Sequence, residues 1–394
     1  MIIEDLRNVF TSCRDELIEV SGDFIYYAEE KMEEGHNILF LLEYNRKTKR
    51  ERIITNYILQ NPSFVHHYYG FPNDILIVME NGDSEVWVLR VDKLTGAERN
   101  LDKLSLIGAF SGCAALNASH LLFFTVPNQR HKALFRRYTE TTGMEKAVCL
   151  YDLDEKKPCY VRDPRICAAE ASGIIPFDPD GLPRLLILLP HGDEEEKETC
   201  YKNRRWLGDS VCDRVWECPL FDLIVSLKAG EEHTPLELLF SAGTSGLVRY
   251  AGMDEERLYF RARYFPTNDQ RVLSVHKQTG KKEIAAELNL KEGDPPAGFF
   301  LSLGEGQPFR VYRIVEEENR WRIEGQAHSN MNCSYSRELG EMTACVEDRY
   351  LIAQYILSDE TVSYEFNSIV DSRTGKQQSY EGRCCVWSDT VVLY

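Results

Sequence analysis

The sequence predicts an all-β protein, a β-propeller of four-stranded antiparallel blades. Three observations predict it. A strand–turn–strand phrase recurs seven times along the 394 residues. A second kind of hairpin, made of a short strand, a polar turn and a hydrophobic strand, stands before most copies. Long helical periodicity is absent after residue 17. Two hairpins per unit make four strands, and units of that size repeating every roughly 40–70 residues mark a propeller. The 20 Tyr and 18 Phe suit sheets packed face to face.

The clearest phrase runs from Ser84 to Leu104. Val86, Val88 and Val91, with Trp87 and Leu89, form a β-rich run, and Asp92-Lys93-Leu94-Thr95-Gly96 forms the turn. An Asp side chain hydrogen-bonds the backbone ahead of it, and Gly takes the positive φ that closes a hairpin with a bulge. The other phrases begin at Asn37, Lys146, Pro219, Arg271, Phe309 and Val362. Asp152 and Asp371 keep the turn carboxylate, Asn45 and His276 replace it, and Gly280 and Gly375 keep the glycine. The preceding hairpins include ELIEVSGDFIYYAEE, AALNASHLLFFTV, LVRYAGMDEERLYFRARY and ACVEDRYLIAQYI. The phrase at Phe309 is degenerate, with too few residues for four good strands.

Seven phrases point to a seven-bladed propeller of about 56 residues per blade in a chain of 394. The terminal RCCVWSDTVVLY reads as a further first hairpin that completes a sheet with N-terminal residues. It leaves eight blades as the alternative. Residues 1–17 carry Ile2, Ile3, Leu6, Val9, Phe10, Cys13 and Leu17 at spacings of three and four. They read as an amphipathic helix, with a closing strand as the second reading. Residues 18–394 then form one propeller domain with loop insertions at 127–145 and 190–218.

Composition excludes several function classes. A net charge of −17 argues against a nucleic-acid binder, because phosphate neutralisation needs Lys and Arg. It also disfavours an anionic membrane surface. No run approaches the length that spans a bilayer. The start MIIEDLRNVF has early acids and no apolar core, so no secretory signal is expected and the setting is cytoplasmic. The 12 Cys then read as reduced thiols, with Cys113, Cys149 and Cys345 inside apolar runs.

The turn phrases Val91-Asp92-Lys93-Leu94-Thr95-Gly96 and Val370-Asp371-Ser372-Arg373-Thr374-Gly375-Lys376 resemble those of bacterial quinoprotein-like and YVTN-like propellers. No Trp-Asp dipeptide closes any unit, so the WD40 signature is missing.

Function is expected on the two insertions, since loops on a rigid scaffold carry binding groups. The first holds Arg130, His131, Lys132, Arg136 and Arg137 and room for a helical turn. The second holds an acidic run from Asp193 to Glu196, then Lys202, Arg204, Arg205 and Trp206. Both interrupt neighbouring units between second and third strands. Either they form a basic surface for an anionic small molecule or protein partner, or the basic segment of one pairs with the acidic run of the other. Arg grips carboxylate or phosphate through paired hydrogen bonds, and Trp206 is suited to stacking.

No Walker A loop, GxGxxG or nucleophile elbow is present, and Gly243-Thr244-Ser245-Gly246 is one residue short of the last. Cys200, Cys212, Cys218 and His191 lack zinc-knuckle spacing, so no metal and no cofactor are expected. Adjacent pairs such as Cys384-Cys385 and His66-His67 point to opposite faces of a strand. The innermost strands offer Glu19, His66, Glu170, Arg249 and Glu347 as channel candidates. The expectation is a recognition propeller. The alternative is a channel-sited lyase, hydrolase or lactonase acting on a sugar-like acid, and fold alone does not choose between them.

Overall fold

The computed structural model describes residues 1–394 except 9–15, 60–62, 82–84, 144–145, 180, 191–211, 244–245, 265–266, 268, 290, 292–296, 305–306, 327–328, 359–362 and 388. The chain is all-β, with the four-stranded antiparallel sheets of a β-propeller. It divides into two compact units, one of residues 12–241 and one of residues 1–11 with 242–394.

Of residues 1–17, positions 9–15 lie outside the described residues. Ile2–Asp5 is strand β1. Its partner is the C-terminal strand, in parallel register from Ile2 opposite Thr390 to Asp5 opposite Leu393. Spacings of three and four among so few apolar residues fit either element, and an open strand edge decides for the strand.

In the unit of residues 12–241 the first sheet is β2 (Glu16–Ser21), β3 (Phe24–Glu33), β4 (His36–Asn45) and β5 (Arg50–Leu59). The second is β6 (Ser63–Gly70), β7 (Asp74–Asn81), β8 (Val86–Asp92) and β9 (Glu98–Leu104). The third is β10 (Ala109–Asn117), β11 (His120–Val126), β12 (Ala147–Asp152) and β13 (Lys157–Tyr160). The fourth is β14 (Ile174–Phe177), β15 (Arg184–Pro190), β16 (Cys212–Pro219) and β17 (Glu237–Ser241). Among the described residues three α-helices interrupt them: α1 (Lys132–Thr142), α2 (Pro164–Ala168) and α3 (Leu220–Ala229).

In the other unit the fifth sheet is β18 (Gly246–Met253), β19 (Arg257–Tyr264), β20 (Gln270–His276) and β21 (Lys282–Leu288). The sixth is β22 (Ala297–Gly304), β23 (Gln307–Glu316), β24 (Arg320–Gly325) and β25 (Asn332–Ser336). The seventh is β26 (Glu341–Val346), β27 (Tyr350–Ser358), β28 (Ser363–Asp371) and β29 (Gln377–Glu381). A three-stranded sheet of β30 (Cys384–Trp387), β31 (Thr390–Leu393) and β1 joins the two termini, as the closing hairpin led us to expect.

The repeated turn is built as its residues dictate. Asp92 Oδ1 accepts from the Leu94 and Thr95 amides at 3.0 and 2.8 Å, and Gly96 sits at φ +71°. Asn45 repeats the cap toward Lys47 and Thr48, and His276 Nδ1 toward Gln278 and Thr279. Where the glycine is missing, Lys49 and Lys156 take the left-handed position at φ 56° and 55°.

Two expectations are corrected. The phrase at Pro219 is not a strand pair: Leu220–Ala229 is helix α3. Leu220, Leu223, Ile224 and Leu227 bury one helical stripe, and a short apolar run is ambiguous until something packs on it. The phrase at Phe309 supplies the second and third strands of its sheet, and four strands do form once β22 and β25 flank it. Short helices do occur after residue 17, α1 in the insertion that left room for a helical turn and α3 after β16.

Sheets pack face to face within each unit, and central strands such as β8 and β12 are buried on both sides. On β7, Ile75 and Ile77 join Leu39, Leu41 and Ile54 of the first sheet, while Leu76 and Val78 join Leu121 and Phe123 of the third. Tyr68 and Tyr69 follow the same parity, one into each cluster. Tyr259 and Val272 meet Phe309 and Val311 between the fifth and sixth sheets.

Candidate functional site

The first insertion lies between β11 and β12, the second-to-third junction of its sheet, and becomes helix α1. Ala133, Leu134 and the basic residues are good helix formers. Gly143 ends the helix at φ +72°, its amide donating to the Thr139 carbonyl. Phe135 is the one fully buried anchor, lying against Gly108, where a Cβ would stand 3.0 Å from its ring. Tyr138 anchors the next turn: its hydroxyl donates to the Val161 carbonyl and lies 3.3 Å from Cys167 Sγ. Burial pushes the Tyr138 phenol far above its ordinary value, so it stays a donor.

That anchoring turns the basic residues outward. Arg130, Lys132, Arg136 and Arg137 are exposed. Arg136 pairs with Glu140 one turn on, at 2.9 Å. Among the described residues Lys132 and Arg137 form no ion pair, while Arg130 keeps a further contact. His131 does a different job. Its Nδ1 accepts from the Gly108 amide at 3.4 Å and its own amide donates to Asn128 Oδ1 at 2.9 Å, so it holds the helix start onto the sheet. Beside the helix runs an open groove of about 400 Å³, lined by Pro127, Lys132, Phe135, Arg136, Thr139 and Glu140.

The second insertion leaves β15 at Pro190, again at the second-to-third junction. Lys202, Arg204, Arg205 and Trp206, with His191 and Cys200, lie outside the described residues. The end of that insertion is not loop: Cys212 and Cys218 stand buried in β16.

The channel candidates fall on or beside first strands, and four of them carry a local partner. Glu19 on β2 accepts from Lys93 Nζ at 2.6 Å. His66 sits at a bulge in β6, with Nε2 3.0 Å from Glu80 and its ring 4.8 Å from that of Phe110. Glu170 precedes β14 and pairs with Lys146. Glu347 follows β26 at φ +55° and pairs with the N-terminal amine. Arg249 lies exposed on β18. Glu19, His66 and Glu170 share a unit and make separate pairs, so the ring order that places them does not itself assemble them. Among the described residues no group of three His, Cys, Asp or Glu is poised to hold a metal ion.

Ten described cysteines are free thiols. Burial raises those of Cys113, Cys149, Cys212 and Cys218 to about 12, the opposite of what a nucleophile needs. Among the described residues no helix is long and apolar enough to cross a membrane.

No family model matches the chain, and no curated protein does. Among solved structures it is similar to a prolyl endopeptidase, 10% identical at TM-score 0.48, over 93% of this chain and 49% of that one. The chain thus spans about half the length of that endopeptidase. It is also similar to an uncharacterized Listeria monocytogenes protein, 11% identical at TM-score 0.46, over 93% of each chain. A third likeness is the β-propeller domain of the Trilobed protease from Pyrococcus furiosus, 12% identical at TM-score 0.44, over 94% of each.

Proposed function

We propose that this chain is a recognition module and that α1 presents its binding face to an acidic protein partner. The observation that carries this is the basic face of α1. The helix is anchored through Phe135 and Tyr138, and it holds Lys132, Arg136 and Arg137 against a single acid, Glu140, on a chain of net charge −17. A convex helix presents charge rather than enclosing a small molecule, and half-exposed Leu134 adds an apolar contact between the cations. Complementary charge of this kind speeds encounter and sets partner choice. The propeller behind it supplies a rigid support. The turn phrases shared with quinoprotein-like and YVTN-like propellers, and the free buried thiols, support a bacterial cytoplasm as the setting.

The test is charge reversal on the exposed face. A chain carrying Lys132→Glu and Arg137→Glu keeps both anchors and should fold as the parent does. Partners captured by the parent at low salt and released at high salt should be lost from the variant. Capture that is unchanged by the two substitutions rejects α1 as the recognition face.

A further inference from the structure

The fifth sheet places three arginines on one face. Arg249 on β18 stands directly opposite Arg261 on β19. Arg263 follows Arg261 by two residues, so strand alternation puts it on the same side. In register with these two are Val272 and Gln270 of β20. Val272 packs with Phe299, Phe309 and Val311 of the sixth sheet, and Gln270 donates to the Ala297 carbonyl at 3.2 Å. The arginine face is therefore the one turned to the neighbouring sheet, near the end of β19 at Tyr264.

Like charges directly opposite one another on a ladder are destabilising. Here the arrangement is graded. Arg249 is exposed at the margin, and Arg261 and Arg263 are partly buried behind it. Burial, then the charges of Arg249 and Arg263, lower the Arg261 guanidinium to about 10. Arg261 and Arg263 each keep a further contact. A cluster of guanidinium groups with one exposed member can take carboxylate or phosphate oxygens in paired hydrogen bonds.

We propose that Arg249, Arg261 and Arg263 form a binding site for a small, multiply charged oxyanion. The site lies on a different sheet from α1, so it stands or falls independently of the partner-binding reading.

The experiment uses the full chain and two probes, sodium phosphate and sodium citrate, against sodium chloride at matched ionic strength. Thermal unfolding and titration calorimetry are read for the parent, for Arg249→Gln and for Arg263→Gln. Arg249 is exposed, so its substitution leaves the fold in place and isolates the charge. The expected result is a rise in parent melting temperature of several degrees with one of the anions. Binding should then weaken about tenfold or more in each variant. A rise with phosphate alone assigns a phosphoryl ligand, and a rise with citrate alone a polycarboxylate. The proposal is overturned if neither anion stabilises the parent beyond chloride, or if both variants respond as the parent does.

Discussion

Lys93 donates to Glu19 at 2.6 Å and so ties the turn of the second sheet to the first strand of the first sheet. The ammonium also stands 4.3 Å from the centroid of Tyr26, and the lysine side chain is only 6% exposed. A carboxylate that reads in sequence as a channel candidate is thus half of a nearly buried ion pair. Removing one partner of such a pair strands the other. Lys93→Met should cost about 3 kcal/mol, and Lys93→Met with Glu19→Met should recover most of it. Urea unfolding of the two variants measures this. A single variant within the range of ordinary surface changes, about 0.5 kcal/mol, would show that the pair contributes nothing.

Two glycines with the same place in the turn should respond differently. Gly96 is at φ +71°, and a Cβ there would stand 2.1 Å from the Ile54 carbonyl oxygen of the first sheet. Gly280 is at φ +66° with open space around it. Gly280→Ala should cost about 1 kcal/mol, the conformational penalty alone. Gly96→Ala must also displace a backbone carbonyl and should cost at least twice that. Equal losses in thermal unfolding would remove the inter-sheet contact from the explanation.

The buried thiols should be silent in the folded chain. With Cys113, Cys149, Cys212 and Cys218 raised to about 12, their thiolate fraction at neutral pH is negligible. Alkylation followed by mass mapping should leave these four unmodified in the native protein. All 12 cysteines should react once it is unfolded. Modification of Cys113 or Cys149 ahead of unfolding would contradict the packing described for the third sheet.

Asp152 should make part of the stability depend on acid. Burial alone would raise its carboxyl, but the Lys228 ammonium and the amides of Glu155 and Asp154, with His120, hold it at about 2, below the ordinary 3.8. A depressed carboxylate contributes its full share above the unfolded value and loses it as pH falls through the folded one. The contribution is about 2 kcal/mol at neutral pH. It should fade between about pH 4 and pH 2. Asp152→Asn should be less stable than the parent at neutral pH, and the two should converge in that acid window. A constant difference across the window would mean that the loss in Asp152→Asn is not electrostatic.

Some of the site was legible and some was not. The basic residues of 127–145 were visible as composition, and their outward placement followed once Phe135 and Tyr138 found buried seats. His131 counts among those charges by type, yet its ring serves the Gly108 amide. Arg261 and Arg263 share the hairpin LVRYAGMDEERLYFRARY with Arg249, but the sequence does not give its register. Only the register that sets Arg249 against Arg261 makes a cluster of them.

The sequence by itself determined the repeating hairpin. Asp92, Asn45, His276 and Asp371 cap their turns by local hydrogen bonds that need no distant partner, so the phrase could be read one hairpin at a time. Tertiary structure alone decided what the ambiguous runs became. Ile2–Asp5 is a strand because β31 offers an open edge, and Leu220–Ala229 is a helix because a stripe of it packs into the core of the third and fourth sheets. A cap acts within a few residues, whereas an edge or a packing surface comes from chain far away in sequence, and its influence appears only when the sheets are assembled.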